Sequence, residues 1–213
     1  MVSPDLSPAV SDPGLPGARR RLVCGLGVAG LLALAAGCRR GGPSFSAIDV
    51  TGAAFGRDFA LTDHLGQPRT LADYRGKVVV VFFGFTQCPD VCPTTLAEMA
   101  QALRELGPRA ERVQVLFVTV DPERDTPSAL KEYLASFDPR IVGLTGHPTD
   151  IAAAADALNS FYERIDKPDG SYTMDHTLKV HFFDRYGLLA ASVDLLKAPH
   201  KRVQNLMGRL LAQ

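Results

Sequence analysis

The chain has 213 residues, 46% of them hydrophobic, which suits one domain of ordinary size with an appended segment and excludes disorder throughout. Its 23 lysines and arginines balance 23 aspartates and glutamates, so net charge gives no broad attraction to nucleic acid or anionic lipid. Four cysteines are too few for a disulfide-built scaffold: two lie in an apolar N-terminal run, and Cys88 and Cys92 lie in a motif.

Residues 1–21 are rich in Pro, Ser, Gly and Ala, end on Arg19-Arg20-Arg21, and read as a disordered, basic leader. Residues 22–38 form an unbroken small-and-apolar run closed by Arg39-Arg40, expected to be a signal segment or membrane anchor. Its length is at the lower edge of the roughly 17 to 25 residues a spanning helix needs. Gly25, Gly27, Gly30 and Gly37, with no polar face, argue against a buried core helix. Leu34 to Cys38 resembles a bacterial lipoprotein signal, with Ala35 where Leu is usual, and Arg19-Arg20 partly resembles a twin-arginine signal, although basic residues precede every kind of export segment. The expected location is the bacterial inner membrane, facing the periplasm, anchored by this helix or by lipid on Cys38.

Residues 39–44 are a linker, and residues 45–213 the folded domain. Phe45 to Asp49 and Phe59 to Thr62 have strand-like composition and are expected to form an N-terminal hairpin extension. Asp63 to Gln67 reads as a turn, and Leu71 to Gly76 as a short helical turn. Val78 to Phe83 is continuously apolar, the pattern of a central strand covered on both faces. Gly84 to Pro93 then leads from that strand into a helix, with Pro93 at its first position and Leu96, Met99, Ala100, Leu103 and Leu106 on its apolar face, stopped by Gly107-Pro108.

Val113 to Val120 is a second buried strand, and strand-helix-strand of this kind implies a parallel pair. Asp121 to Pro127 is a loop whose residues read mainly as capping the next helix, with Thr126 before Pro127. A further helix is expected from about Asp150 to Asn159, and a turn at Asp166 to Gly170. Leu178 to Asp184 and Leu188 to Val193 form an antiparallel hairpin about Arg185-Tyr186-Gly187, before a last helix from near Pro199. This order predicts an α/β, thioredoxin-like fold with an N-terminal β-hairpin extension.

Cys88 and Cys92 are placed together on the first helical turn, where orphan N–H groups and the dipole favour thiolates, with pKa values of about 3.5 to 7.5. The pair admits a structural disulfide, a redox-active dithiol or part of a metal site. The closed loop is too short for a disulfide to constrain the unfolded chain much. Two thiolates suit Cu(I), one imidazole more would also hold Cu(II), and zinc would want a fourth ligand. Among the histidines, His64 and His147 in turns and His200 at a helix start read as solvated, and His181 as packed or surface. His176 enters the segment that passes the redox helix in thioredoxin-like folds.

Phe83 to Pro93, Asp121 to Pro127, Leu144-Thr145-Gly146 and Asp175-His176-Thr177, in that order, resemble the Sco/SenC family from about Phe45 onward. The resemblance implies copper, as Cu(I) or Cu(II), bound by Cys88, Cys92 and His176. It also implies a role in assembling cytochrome c oxidase. Asp90 and Asp175 match the motifs without becoming ligands, and His181 stands where an aromatic such as Tyr is usual.

The expected function is a metallochaperone that helps load the dinuclear copper centre of cytochrome c oxidase subunit two, in exchange with a copper donor protein and a thiol reductant. The alternative is a thiol-disulfide oxidoreductase that keeps the oxidase cysteines reduced, with Cys88 and Cys92 as its dithiol. A peroxiredoxin-like peroxidase has less support, and the absence of tryptophan counts against a general thioredoxin-type enzyme.

Overall fold

The computed structural model describes residues 48–49, 59–195 and 200–213. The leader, the apolar run with Cys38 and the linker therefore lie outside the described residues. Among the described residues no helix is long and apolar enough to cross a membrane. In chain order the strands are β1 (Ile48–Asp49), β2 (Ala60–Asp63), β3 (Pro68–Thr70), β4 (Val78–Gly84), β5 (Val113–Thr119), β6 (Ile141–Thr145), β7 (Tyr162–Asp166), β8 (Tyr172–His176), β9 (Lys179–Phe183) and β10 (Leu189–Asp194). The α-helices are α1 (Val91–Leu106), α2 (Pro127–Leu134), α3 (Pro148–Ala157) and α4 (His200–Leu210), with 3-10 turns at Leu71–Tyr74 and Gly107–Arg112.

The apolar strand β4 is central, as its composition requires. It pairs in parallel with β5 from Val78↔Val113 to Gly84↔Thr119, and antiparallel with β9 on its other side. β6 continues the parallel run beyond β5. The whole sheet has eight strands in the order β1-β10-β9-β4-β5-β6-β2-β3, and β7 pairs with β8 in a separate two-stranded sheet. All seven residues of β4 are buried because each face meets its own apolar cluster. Val80 and Phe82 pack with Leu96, Met99 and Leu103 of α1, Leu130 of α2 and Met207 of α4. Val79, Val81 and Phe83 pack with Leu116, Val118 and Ile151 of α3. Each such large side chain, taken fully from water, contributes about 1.5 to 3 kcal/mol.

An N-terminal hairpin is present, but its strands are β2 and β3, closed by the turn at Asp63 to Gln67. Asp63 fixes that turn by accepting from the Leu65 and Gln67 amides, and β2 also pairs with β6. β1 instead lies at the far edge, beside β10, so the two N-terminal strands do not pair with each other. The predicted cap of α2 is formed: Thr126 Oγ1 accepts from the Ala129 amide at 3.3 Å.

Candidate metal centre

The cysteine loop begins where β4 ends. The Cys88 amide donates to the Phe85 carbonyl at 3.2 Å, closing a turn, and α1 starts only at Val91. Cys88 therefore lies ahead of the helix, Cys92 is its second residue, and Pro93 is its third residue and not its first. The proline costs nothing there, since the N–H it lacks would have no intrahelical acceptor in the first turn. Asp90 is the N-cap by position, yet its side chain makes no capping bond. The Cys92 amide donates instead to Cys88 Sγ at 3.5 Å, so one sulfur takes over an orphan N–H of the helix start.

Both cysteines are free, Cys88 partly exposed and Cys92 buried at 1% exposure. The depressed pKa expected from the helix terminus is not met at Cys92. Burial pushes its thiol up, against a backbone hydrogen bond at Phe85 that works the other way. Desolvation outweighs the dipole because the side chain is packed under the loop. Gly84 makes that packing possible: a Cβ there would stand 2.8 Å from Cys92 Sγ and 2.6 Å from the Phe117 ring.

His176 ends β8, opposite Tyr162 of β7, and the hairpin brings it to the cysteines from 84 residues away. Its Nε2 lies 3.8 Å from Cys92 Sγ. Its Nδ1 lies 3.3 Å from the Thr177 carbonyl, which can only accept, so Nδ1 carries the proton and the Nε2 lone pair faces the sulfur. The imidazole meets Phe85 edge-on with centroids 6.0 Å apart. Burial lowers its pKa, keeping the ring in the neutral form a metal ion needs.

The structure thus joins Cys92 to His176 and Cys88 to the Cys92 amide. Among the described residues, no three His, Cys, Asp or Glu side chains already converge as a metal-holding group. Asp90 and Asp175 are exposed. His147 caps α3, with Nδ1 accepting from the Thr149 amide. His64 is not simply solvated: its Nδ1 accepts from the Gly143 amide at 2.9 Å, tying the β2–β3 turn to β6. Of the two expectations for His181, packed or surface, the structure has the packed one, at 1% exposure between Ser160 and Ser192. The His200 side chain lies outside the described residues.

The loop after β5 does more than cap a helix. Asp125, fully buried, accepts from the Thr86 amide at 3.0 Å, the Thr86 hydroxyl at 2.6 Å and the Thr119 hydroxyl at 2.6 Å. Burial raises its pKa despite these three donors. Asp121 is paired with Arg124 and accepts from the Tyr172 hydroxyl at 3.0 Å, reaching the hairpin that carries His176. Sequence reasoning missed this bracing. The available signal was the charge density of Asp121 to Asp125, more than one helix cap requires.

Comparison with known proteins identifies the family. The family model described as SCO1/SenC matches residues 49–210. The chain is 40% identical over 186 residues to the Bos taurus protein SCO2 homolog, mitochondrial, covering 83% of this chain and 70% of that protein. It resembles the structure of Bradyrhizobium japonicum ScoI with copper bound at a TM-score of 0.68 and 41% identity, covering 74% of this chain and 99% of that one. It resembles yeast Sco1 with copper bound at a TM-score of 0.66 and 31% identity, covering 73% and 87%. A family match over most of its length, carried on a thioredoxin-like α/β fold, places the conclusion beyond motif resemblance: the chain belongs to the SCO1/SenC family.

Proposed function

We propose that this protein is a copper metallochaperone that holds its cargo through Cys88, Cys92 and His176 and helps assemble the dinuclear copper centre of cytochrome c oxidase subunit two. One observation carries the reading. Cys92 Sγ and His176 Nε2, from distant parts of the chain, lie 3.8 Å apart with the imidazole lone pair directed at the sulfur. Soft thiolates with one imidazole suit Cu(I) and Cu(II). The copper-bound relatives at 41% and 31% identity support the same cargo.

The geometry also suits delivery. Cys92 is buried and Cys88 partly exposed, so an incoming ligand approaches from the Cys88 side and displaces ligands in steps. Three protein ligands would leave a coordination position open to exchange. Binding displaces the thiol protons, so uptake weakens with acid. We place the protein at the bacterial inner membrane, facing the periplasm, held by residues 22–38 or by lipid on Cys38, where an oxidase subunit, a copper donor and a thiol reductant would meet it.

A second reading is a thiol-disulfide oxidoreductase, favoured by the free, adjacent cysteines. The partly exposed Cys88 would attack, since burial disfavours the Cys92 thiolate. His176 discriminates between the two. Copper titration of the purified protein is expected to give one ion per chain, with retention reduced in Cys88→Ser and His176→Ala. Retention unaffected by His176→Ala, together with reduction of an oxidised oxidase-subunit peptide by metal-free protein, would favour the oxidoreductase.

A further inference from the structure

We propose that Arg124 is a positioning residue of the metal centre, holding the β7–β8 hairpin, and with it His176, against the cysteine loop. The inference rests on the reading of His176 as a ligand and deepens it. β7 and β8 form their own two-stranded sheet. Their place over the cysteines therefore depends on side chains and connecting loops, not on hydrogen bonds of the main sheet. Tyr172 and His176 occupy β8 four residues apart and so share one face of the ribbon, opposite Asp166 and Tyr162.

Arg124 touches both halves of the site. Its Nη1 donates to Gln87 Oε1, next to Cys88, and to the Tyr172 carbonyl, each at 3.1 Å. Its guanidinium lies 3.7 Å from the centre of the Tyr172 ring and 5.9 Å from that of Phe85, the ring that meets His176. Its Nε is committed to Asp121, which also accepts from the Tyr172 hydroxyl. Arg164 lies over the Tyr172 ring as well, at 3.7 Å, and pairs with Glu123 of the same loop. One planar cation thus fixes the loop before Cys88 and the residue that sets the hairpin's height. Lysine would keep the charge facing Asp121 but could not hold Asp121 through one nitrogen while a second donates to Gln87 and Tyr172, nor stack as a plane.

The test uses Arg124→Lys and, should that variant not fold, Tyr172→Leu, which leaves Asp121 its Arg124 partner. In metal-free protein, amide hydrogen exchange of Tyr162–Asp166 and Tyr172–His176 is expected to quicken about tenfold while β4 keeps its protection. Unchanged hairpin exchange overturns the proposal. In copper-loaded protein, His176→Ala should weaken Cu(II) retention about tenfold less in the Arg124→Lys background than in wild type, because the histidine is already released. Costs that simply add would mean Arg124 acts on stability alone and would overturn it too. Failure of the wild-type chain to take up copper would refute the ligand reading, and hairpin exchange would still decide the role of Arg124.

Discussion

Acid should unfold this protein through a histidine outside the proposed centre. His181 is buried in β9, with Nε2 3.1 Å from Ser160 Oγ and Nδ1 2.9 Å from Ser192 Oγ. Ser160 donates to the Leu158 carbonyl, so its oxygen accepts from Nε2–H and Nδ1 accepts from Ser192. Burial first, and Lys179 second, lower its pKa from 6.5 to about 4. A lowered base favours the neutral form in the fold, so its contribution is complete above the unfolded value of 6.5 and is lost as pH falls from there toward about 4. The full loss is about 3 kcal/mol, of which about 2 kcal/mol falls between pH 7 and pH 5. Urea unfolding of wild type and His181→Gln at both pH values measures it. His64 and His176 are lowered as well, but both proteins retain them, so the difference isolates His181. Wild type should lose about 2 kcal/mol more than the variant on acidification; a difference between the two proteins that stays constant with pH would refute the assignment.

Other predictions follow from the cysteine loop and its supports. Gly84→Ala should cost about 1 to 3 kcal/mol in urea unfolding and weaken copper retention, because the new methyl meets Cys92 Sγ and the Phe117 ring; unchanged stability would mean the strand can move aside. Asp125→Ala should cost about 3 kcal/mol or more, leaving the Thr86 amide and the Thr119 hydroxyl buried without their acceptor, and Asp125→Asn should cost less. Equal unfolding midpoints for wild type and Asp125→Ala would refute that bracing.

What the sequence disclosed was what local pattern determines. The unbroken apolar run of β4, the stop at Gly107-Pro108 and the Thr126-Pro127 start of α2 are dictated by neighbours within a few residues, and the structure has them all. β6 is not legible as a strand from local pattern: it is five residues long and contains Gly143, and its identity comes from pairing with β5 and β2. The pairing of β2 with β3, and not with β1, is likewise a matter of distant partners. At the site, the pairing of Cys88 with Cys92 is legible from spacing, whereas His176 joins them only through the resemblance to the Sco/SenC family. The sign of the Cys92 pKa shift was not, because a helix terminus is visible in sequence and the packing that buries the sulfur is not. Arg124 and Asp125 were hidden for the same reason, since their partners Tyr172 and Thr86 lie 48 and 39 residues away.

The proposed copper site requires Cys88, Cys92 and His176 to meet on one ion. X-ray absorption at the copper edge of the loaded protein tests it most directly. The expected result is sulfur scattering from two cysteines with one imidazole, the imidazole signature vanishing in His176→Ala and half the sulfur in Cys88→Ser. An imidazole signature that persists in His176→Ala, or sulfur scattering unchanged in Cys88→Ser, would contradict it.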